Sequence, residues 1–280
     1  MTYEVENPTT LPSPGPTVDN SPTVNNTGTV GSGWFTQPPG YSYQEFGYNW
    51  SPGVGFSFPS HPGWTINDAR VTNNPGLSFG DAQTTDGLGN ATSAEFGFID
   101  NNGTFTALPS GQSGSVLNGM NDSGLAVGDN RVGDGSFNNF IYNVATGTET
   151  PITFQGVTGP HVTDINDSGQ MVGSAASGSN LEGLYLNGQG GVQILAAPGA
   201  TSTVAVSLNN TGQIVGDYTD TANHTHGFLF DIATQAYTTL DFPNAISTAA
   251  TGINDNGLVV GSYTDAQNVT HGMELMVAHT

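Results

Sequence analysis

One short phrase recurs six times and constrains this chain more than any other feature of it. It reads VNNTGTVG at 24–31, TNNPGLSFG at 72–80, MNDSGLAVG at 120–128, INDSGQMVG at 165–173, LNNTGQIVG at 208–216 and INDNGLVVG at 253–261. The central glycines, Gly28, Gly76, Gly124, Gly169, Gly212 and Gly257, are 48, 48, 45, 43 and 45 residues apart. A period near 45 residues is the length of one four-stranded propeller blade. The phrase itself is a turn: an Asx side chain bonds the backbone two residues on, and glycine takes the left-handed position that closes a hairpin.

Each unit parses into strands. Ser247–Ile253 is a strand of small residues that enters the turn at Asn254, Leu258–Tyr263 leaves it, and Gly272–Val277 follows a polar loop. The preceding unit supplies a fourth strand, Ala236–Phe242, which stops at Pro243. No segment carries a 3.6-residue amphipathic pattern, so helix is not expected. The glycine after each apolar pair (Gly80, Gly128, Gly173, Gly216, Gly261) is expected to let adjacent blades approach closely.

The chain ends just after a third strand, while Thr2–Asn7 before Pro8 resembles the fourth strand TTLDF before Pro243. The fold expected is therefore all-β, a six-bladed propeller of four-stranded antiparallel blades. It forms a single domain over 1–280, and the N-terminal strand 2–8 completes the last blade. Such closure removes exposed sheet edges.

Composition narrows function. There are 23 acidic residues and no lysine, and Arg70 and Arg131 are the only basic side chains beyond histidine, for a formal net charge of −21. Phosphate backbones demand several Lys or Arg, so nucleic acid is excluded as a partner. Anionic membrane surfaces are excluded for the same reason, and no apolar run is long enough to span a bilayer. Cations, neutral sugars and basic partners stay open. Gly (40) and Pro (16) make up a fifth of the chain, but the regular repeat argues against disorder. Cysteine is absent, which removes disulfides and thiolate metal sites. The residues MTYEVENPTT lack the basic and apolar regions of a signal peptide.

The stretches INDNGLVVGSYTD…THG (253–272) and LNNTGQIVGDYTD…THGFLF (208–230) resemble the extracellular repeat family named HAF. The resemblance is strong over 160–280 and weaker, though in register, over 24–159. His226 and His271 match the histidine of that repeat, which earlier units replace by Phe46, Phe96, Asn138 and Glu182. The resemblance implies a bacterial secreted or cell-surface protein with a propeller-like fold. It implies no activity.

Candidate sites fall in the loops between second and third strands, on the face opposite the asparagine turns. Variable polar loops around an axis are the usual place for binding. Aspartates assigned to these loops, among them Asp81, Asp129, Asp217, Asp220 and Asp265, with Asp86 and Asp134, are hard oxygen donors suited to Ca²⁺. None matches the spaced D-x-D-x-D-G pattern, and the alternative is a solvated acidic rim. Trp34, Phe35, Tyr41 and Tyr43 concentrate flat amphipathic surface suited to a glycan or protein ligand. His224 and His226 would share one side of a strand, as a metal pair or as packing residues, and His61 and His161 could approach the axis. Glu45, Glu95 and Glu182 recur near the start of third strands and read as a tolerated polar position rather than a carboxylate pair for glycoside hydrolysis.

No catalytic motif is present. The leading expectation is a non-enzymatic, monomeric binding module, secreted or on the cell surface, carbohydrate-binding and calcium-assisted. A hydrolase or lyase acting on a neutral or cationic substrate at the axial mouth is the alternative. A structural scaffold is a third reading.

Overall fold

The computed structural model describes residues 22–36, 44–51, 55–57, 60–71, 75–86, 92, 96–108, 114–131 and 137–277. Every regular element among them is a strand. Four strands, β1–β4, are Thr23–Val24, Val30–Thr36, Gln44–Ser51 and Gly55–Ser57; the next four, β5–β8, are Trp64–Val71, Leu77–Thr84, Phe96–Asn101 and Thr104–Ala107. Then come β9–β12 (Ser115–Met120, Leu125–Arg131, Phe137–Asn143, Thr148–Pro151) and β13–β16 (His161–Ile165, Met171–Ser177, Asn180–Leu186, Val192–Leu195). The last are β17–β20 (Ala200–Leu208, Gln213–Asp220, Thr225–Asp231, Ala236–Thr239) and β21–β23 (Ser247–Ile253, Leu258–Thr264, Thr270–Met276). Each group is an antiparallel meander forming its own sheet: five sheets of four strands and one of three.

That last sheet corrects the expected closure. Six four-stranded blades completed by the N-terminal strand are not what forms: β21–β23 has three strands among the described residues. Residues 2–8, assigned above as the closing strand, lie outside the described residues. The first and last sheets instead meet at the axis. Thr251 Oγ1 donates to Pro22 O at 2.8 Å, and Val24 and Val30 share a buried cluster with Val260.

The core lies between sheets. Val215 and Leu229 of one sheet pack with Ala250, Val259 and Met273 of the next, and Phe79 and Ile99 pack in the same way with Leu117 and Phe140. Alternation along each second strand sends one apolar residue to each neighbour: Ala126 joins the cluster on one side and Val127 the cluster on the other. Burying each such side chain contributes about 1.5–3 kcal/mol.

The inner strands β9, β13, β17 and β21 each carry a register shift against the second strand, which leaves Asn118, Thr163, Val206 and Thr251 as the extra residue. A bulge bends its strand and re-aims a side chain, and these four all line the axial cavity. The bulge also accounts for the glycine opposite it. A Cβ at Gly173, Gly216 or Gly261 would collide with the carbonyl of His161, Val204 or Ala249 in the same sheet. The expected role of these glycines in close approach between blades is corrected accordingly: the contact is within the blade.

Candidate binding site: the axial cavity

The asparagine turns build one end of the axis. Asn209 Oδ1 accepts from the backbone N–H of Thr211 at 3.1 Å and of Gln213 at 2.9 Å, holding the turn in which Gly212 takes φ 87°. Its Nδ2 reaches out of the turn and donates to Asn254 O of the next sheet at 3.1 Å. The same link runs from Asn121 to Asn166 O (3.0 Å), from Asn166 to Asn209 O (3.1 Å) and from Asn254 to Asn25 O (2.9 Å). These asparagines are buried.

A second tier uses the following residue. The backbone N–H groups of Asp122, Asp167, Asn210 and Asp255 donate to side-chain oxygens of Asp167, Asn210, Asp255 and Asn26 at 2.7–2.9 Å. The phrase that defines the repeat is thus a two-tier girdle that joins neighbouring sheets, including last to first. The sequence pointed to the turn but not to the rungs, because each rung links residues 43 or more positions apart.

Behind the girdle lies a cavity of about 260 Å³, lined by the inner strands. Its wall carries Asn118, Thr163, Thr251, Ser207, Asp164 and His161. Asp164 is fixed by Ser207 Oγ (2.8 Å) and by the backbone N–H of Leu208 (3.1 Å). Asn118 spends its two amide hydrogens on Asp129 Oδ2 (2.8 Å) and Val162 O (2.9 Å). His161 Nε2 lies 3.1 Å from the same Asp129 oxygen, and since an ionised carboxylate only accepts, the imidazole donates there. Asp129 is 1% exposed, and its Oδ1 has no hydrogen-bond partner.

The sequence-assigned residues fall as follows. Asp81, Asp129, Asp217 and Asp220 stand in second strands, not in loops, which corrects their expected setting; Asp265 follows β22. Asp81, Asp129 and Asp217 share the position after the bulge glycine. Burial pushes the Asp217 carboxyl up to about 6. Trp34 and Phe35 belong to β2, while Tyr41, Tyr43 and Asp134 lie outside the described residues. His161 reaches the axial cavity as expected, whereas His61 is not among its lining residues and packs against Trp64 in a tilted pair with centroids 4.0 Å apart. Among the described residues, no group of three or more His, Asp or Glu side chains could hold a metal ion. No helix among them is long and apolar enough to cross a membrane.

His226 and His271 sit in matching hairpins. His226 stacks on Tyr218 at 5.0 Å, with Nδ1 3.0 Å from Asp241 Oδ2 and Nε2 3.4 Å from Asp220 Oδ2. Burial pulls this ring's pKa down, but the hydrogen bond and charge of Asp241, with those of Asp220, outweigh it and leave it above the ordinary histidine value. His271 stacks on Tyr263 at 4.9 Å and meets Asp265 Oδ2 at 2.8 Å, and this hydrogen bond holds the Asp265 carboxyl below its usual range. Asp241 was not singled out from the sequence, because its partner lies 15 residues away on another strand.

No family model matches the chain, and no curated protein matches it. Solved structures do. TolB from Acinetobacter baumannii superposes with a TM-score of 0.60 at 11% identity, over 88% of this chain and 63% of that one. A putative TolB from Agrobacterium tumefaciens gives 0.58 at 13% identity, over 95% and 92%. A puromycin-hydrolyzing peptidase from Mycobacterium tuberculosis gives 0.55 at 10%, over 93% and 54%. The likeness is one of fold. The chain shares the β-propeller architecture of TolB- and peptidase-type propellers, and it spans under two thirds of the length of the Acinetobacter protein.

Proposed function

We propose that the chain is a non-enzymatic binding module of HAF-repeat type, working outside the cell or at its surface, that seats a neutral polyhydroxylated ligand in the axial cavity. The observation that carries this reading is the cavity lining, where amide, hydroxyl and carboxylate groups converge in a chain that has no lysine. Its volume of about 260 Å³ falls just below the ~300–1,000 Å³ of sites for drug-sized ligands. One sugar ring or one side chain of a protein ligand matches that size. Trp34, Phe35, Tyr41 and Tyr43 belong to the same proposal as a stacking platform for a sugar face. A glycan array read with and without EGTA tests both the ligand and any calcium assistance. Val206→Phe, which fills the cavity, is expected to abolish binding by an otherwise folded chain. Absence of binding to any glycan or protein partner, or undiminished binding by the filled variant, would overturn the axial reading.

A second reading, a hydrolase or lyase acting at the axial mouth, draws on His161 held by the buried Asp129 on the cavity wall. A screen with lactones and neutral polysaccharides decides it: turnover lost in His161→Asn supports it, and absence of turnover ends it.

A further inference from the structure

We propose that the axial cavity prefers a sugar ring carrying a primary ammonium, an amino sugar with its amine free, over the same ring with a hydroxyl in that place. The inference rests on the axial reading above and narrows its ligand. It starts from where the hydrogens of the cavity wall go. Ser207 Oγ donates to Asp164 Oδ2 at 2.8 Å, Thr251 Oγ1 to Pro22 O at 2.8 Å and Thr163 Oγ1 to Ala205 O at 3.1 Å. A hydroxyl has one hydrogen and two lone pairs, so toward a ligand these three side chains can only accept. The amides are committed in the same way. Asn118 gives its two hydrogens to Asp129 Oδ2 and Val162 O, and Asn210 gives its two to Asp167 Oδ2 (2.9 Å) and Asp255 Oδ2 (3.0 Å). All five residues line the cavity, and none has a side-chain hydrogen left for a ligand.

Charge points the same way. Asp164, Asp167 and Asp255 line the cavity, and neither arginine of the chain does. Behind Asn118 and His161 stands the buried Asp129, whose Oδ1 accepts no hydrogen bond. A walled cavity lined by one sign of charge concentrates the field on whatever enters it. A ligand hydroxyl brings one hydrogen to this wall, and an acetamido group brings one beside a carbonyl that needs a donor. An ammonium brings three hydrogens, no acceptor and a positive charge, and hydrogen bonds with a charged member are roughly twice as strong as neutral ones. A lysine side chain offers the same head on a flexible stem, whose rotamer freedom is lost on entry. A ring holds its amine rigidly, and its remaining hydroxyls bring further hydrogens to the same acceptors. The ring is therefore the better carrier.

Calorimetric titration of the whole chain at pH 6 with glucosamine, glucose and N-acetylglucosamine tests the preference. Glucosamine, whose amine is protonated at that pH, should bind about tenfold more tightly than glucose, and N-acetylglucosamine no more tightly than glucose. Raising the salt to about 0.5 M should shrink the advantage by screening. Asp167→Asn puts asparagine in the tier where Asn210 already serves, accepting a backbone N–H as Asp167 does. It should keep the fold and narrow the gap between glucosamine and glucose several-fold, and Asp164→Asn should narrow it as well. Equal binding of the two sugars overturns the inference and leaves the axial reading standing, whereas binding of no sugar overturns both. A gap undiminished in both variants overturns the inference too. Tighter binding of acetyl-lysine amide than of glucosamine overturns the ring as the carrier.

Discussion

The hairpins β18–β19 and β22–β23 differ by little in sequence and by much in chemistry. Tyr218 pairs across strands with His226, and Tyr263 pairs with His271. Asp220 and Asp265 cap their loops through Oδ1, each accepting two backbone N–H groups at 2.8–2.9 Å, and Asn223 and Asn268 take matching left-handed conformations at φ 67° and 62°. Only the second carboxylate oxygen behaves differently. Asp265 Oδ2 meets His271 Nε2 at 2.8 Å, whereas Asp220 Oδ2 makes a longer, 3.4 Å hydrogen bond with His226, whose other ring nitrogen lies 3.0 Å from Asp241. One carboxylate supplied by the segment after a fourth strand gives His226 a second partner, so that its ring bridges Asp241 and Asp220 where, among the described residues, His271 meets Asp265 alone. No fourth strand follows β23 among the described residues, so the last hairpin keeps the simple pair.

The comparison presumes that both hairpins hang on equally firm frames, and core truncation tests that first. Phe228 and Met273 are equivalent and fully buried, each facing a neighbouring sheet. Phe228→Ala should cost about 3–5 kcal/mol and Met273→Ala about 2–5 kcal/mol by urea denaturation. A much smaller loss for Met273 would show the three-stranded sheet to be the looser frame. Next in size, Asn254→Ala removes a girdle rung and two turn hydrogen bonds, and Asn209→Ala removes the same set and two more, from Thr211 Oγ1 and to Gln213 Oε1. Asn254→Ala should lose about 2–3 kcal/mol and Asn209→Ala more; a larger loss for Asn254→Ala would mean that the seam to the first sheet is the stronger rung.

A third test uses pH. Asp217 and Ser262 occupy the same place after the bulge glycine, but only Asp217 titrates. Its folded pKa, pushed up from 3.8 to about 6 by burial, means that the native state holds a proton more tightly than the unfolded chain. Stability from this group is complete below about pH 4 and is lost as pH rises through 6. Asp217→Asn should flatten that slope and raise stability at pH 7 by roughly 2–3 kcal/mol, while Ser262→Ala should leave the slope unchanged. The smallest effect is expected from Val269→His, which copies His224 into the last hairpin. It should change stability by under about 0.5 kcal/mol by urea denaturation, since Val269 is exposed and His271 already donates to Asp265; a larger loss would show that the two hairpin loops do not accept the same residue.

Much of the frame was legible in advance because a turn with a left-handed glycine leaves a local signature. The period and the strand order within each unit follow from it, and the missing 3.6-residue pattern agrees with the all-strand elements of the described residues. Other features were not legible because they are not local. Period-two alternation is blind to an inserted residue, so nothing marked Thr163, Val206 or Thr251 as bulged toward the axis. Asp217 and Asp220 read as loop because glycine and polar residues crowd that stretch, yet the ladder continues to Asp220. The closing strand was inferred from likeness between short segments, a weaker guide than the axial hydrogen bonds that join the two end sheets.

Those bonds carry a kinetic consequence. An ordinary rung such as Asn166 to Asn209 O closes a loop of 43 residues, while the rung from Asn254 to Asn25 O closes one of 229. Loop-closure entropy grows as (3/2)RT ln n, so the final rung costs only about 1.5 kcal/mol more than its neighbours. It should therefore zip last and open first, yet remain populated throughout the native ensemble. Amide exchange at Asp255, whose N–H is given to Asn26, should then be the fastest among the second-tier donors.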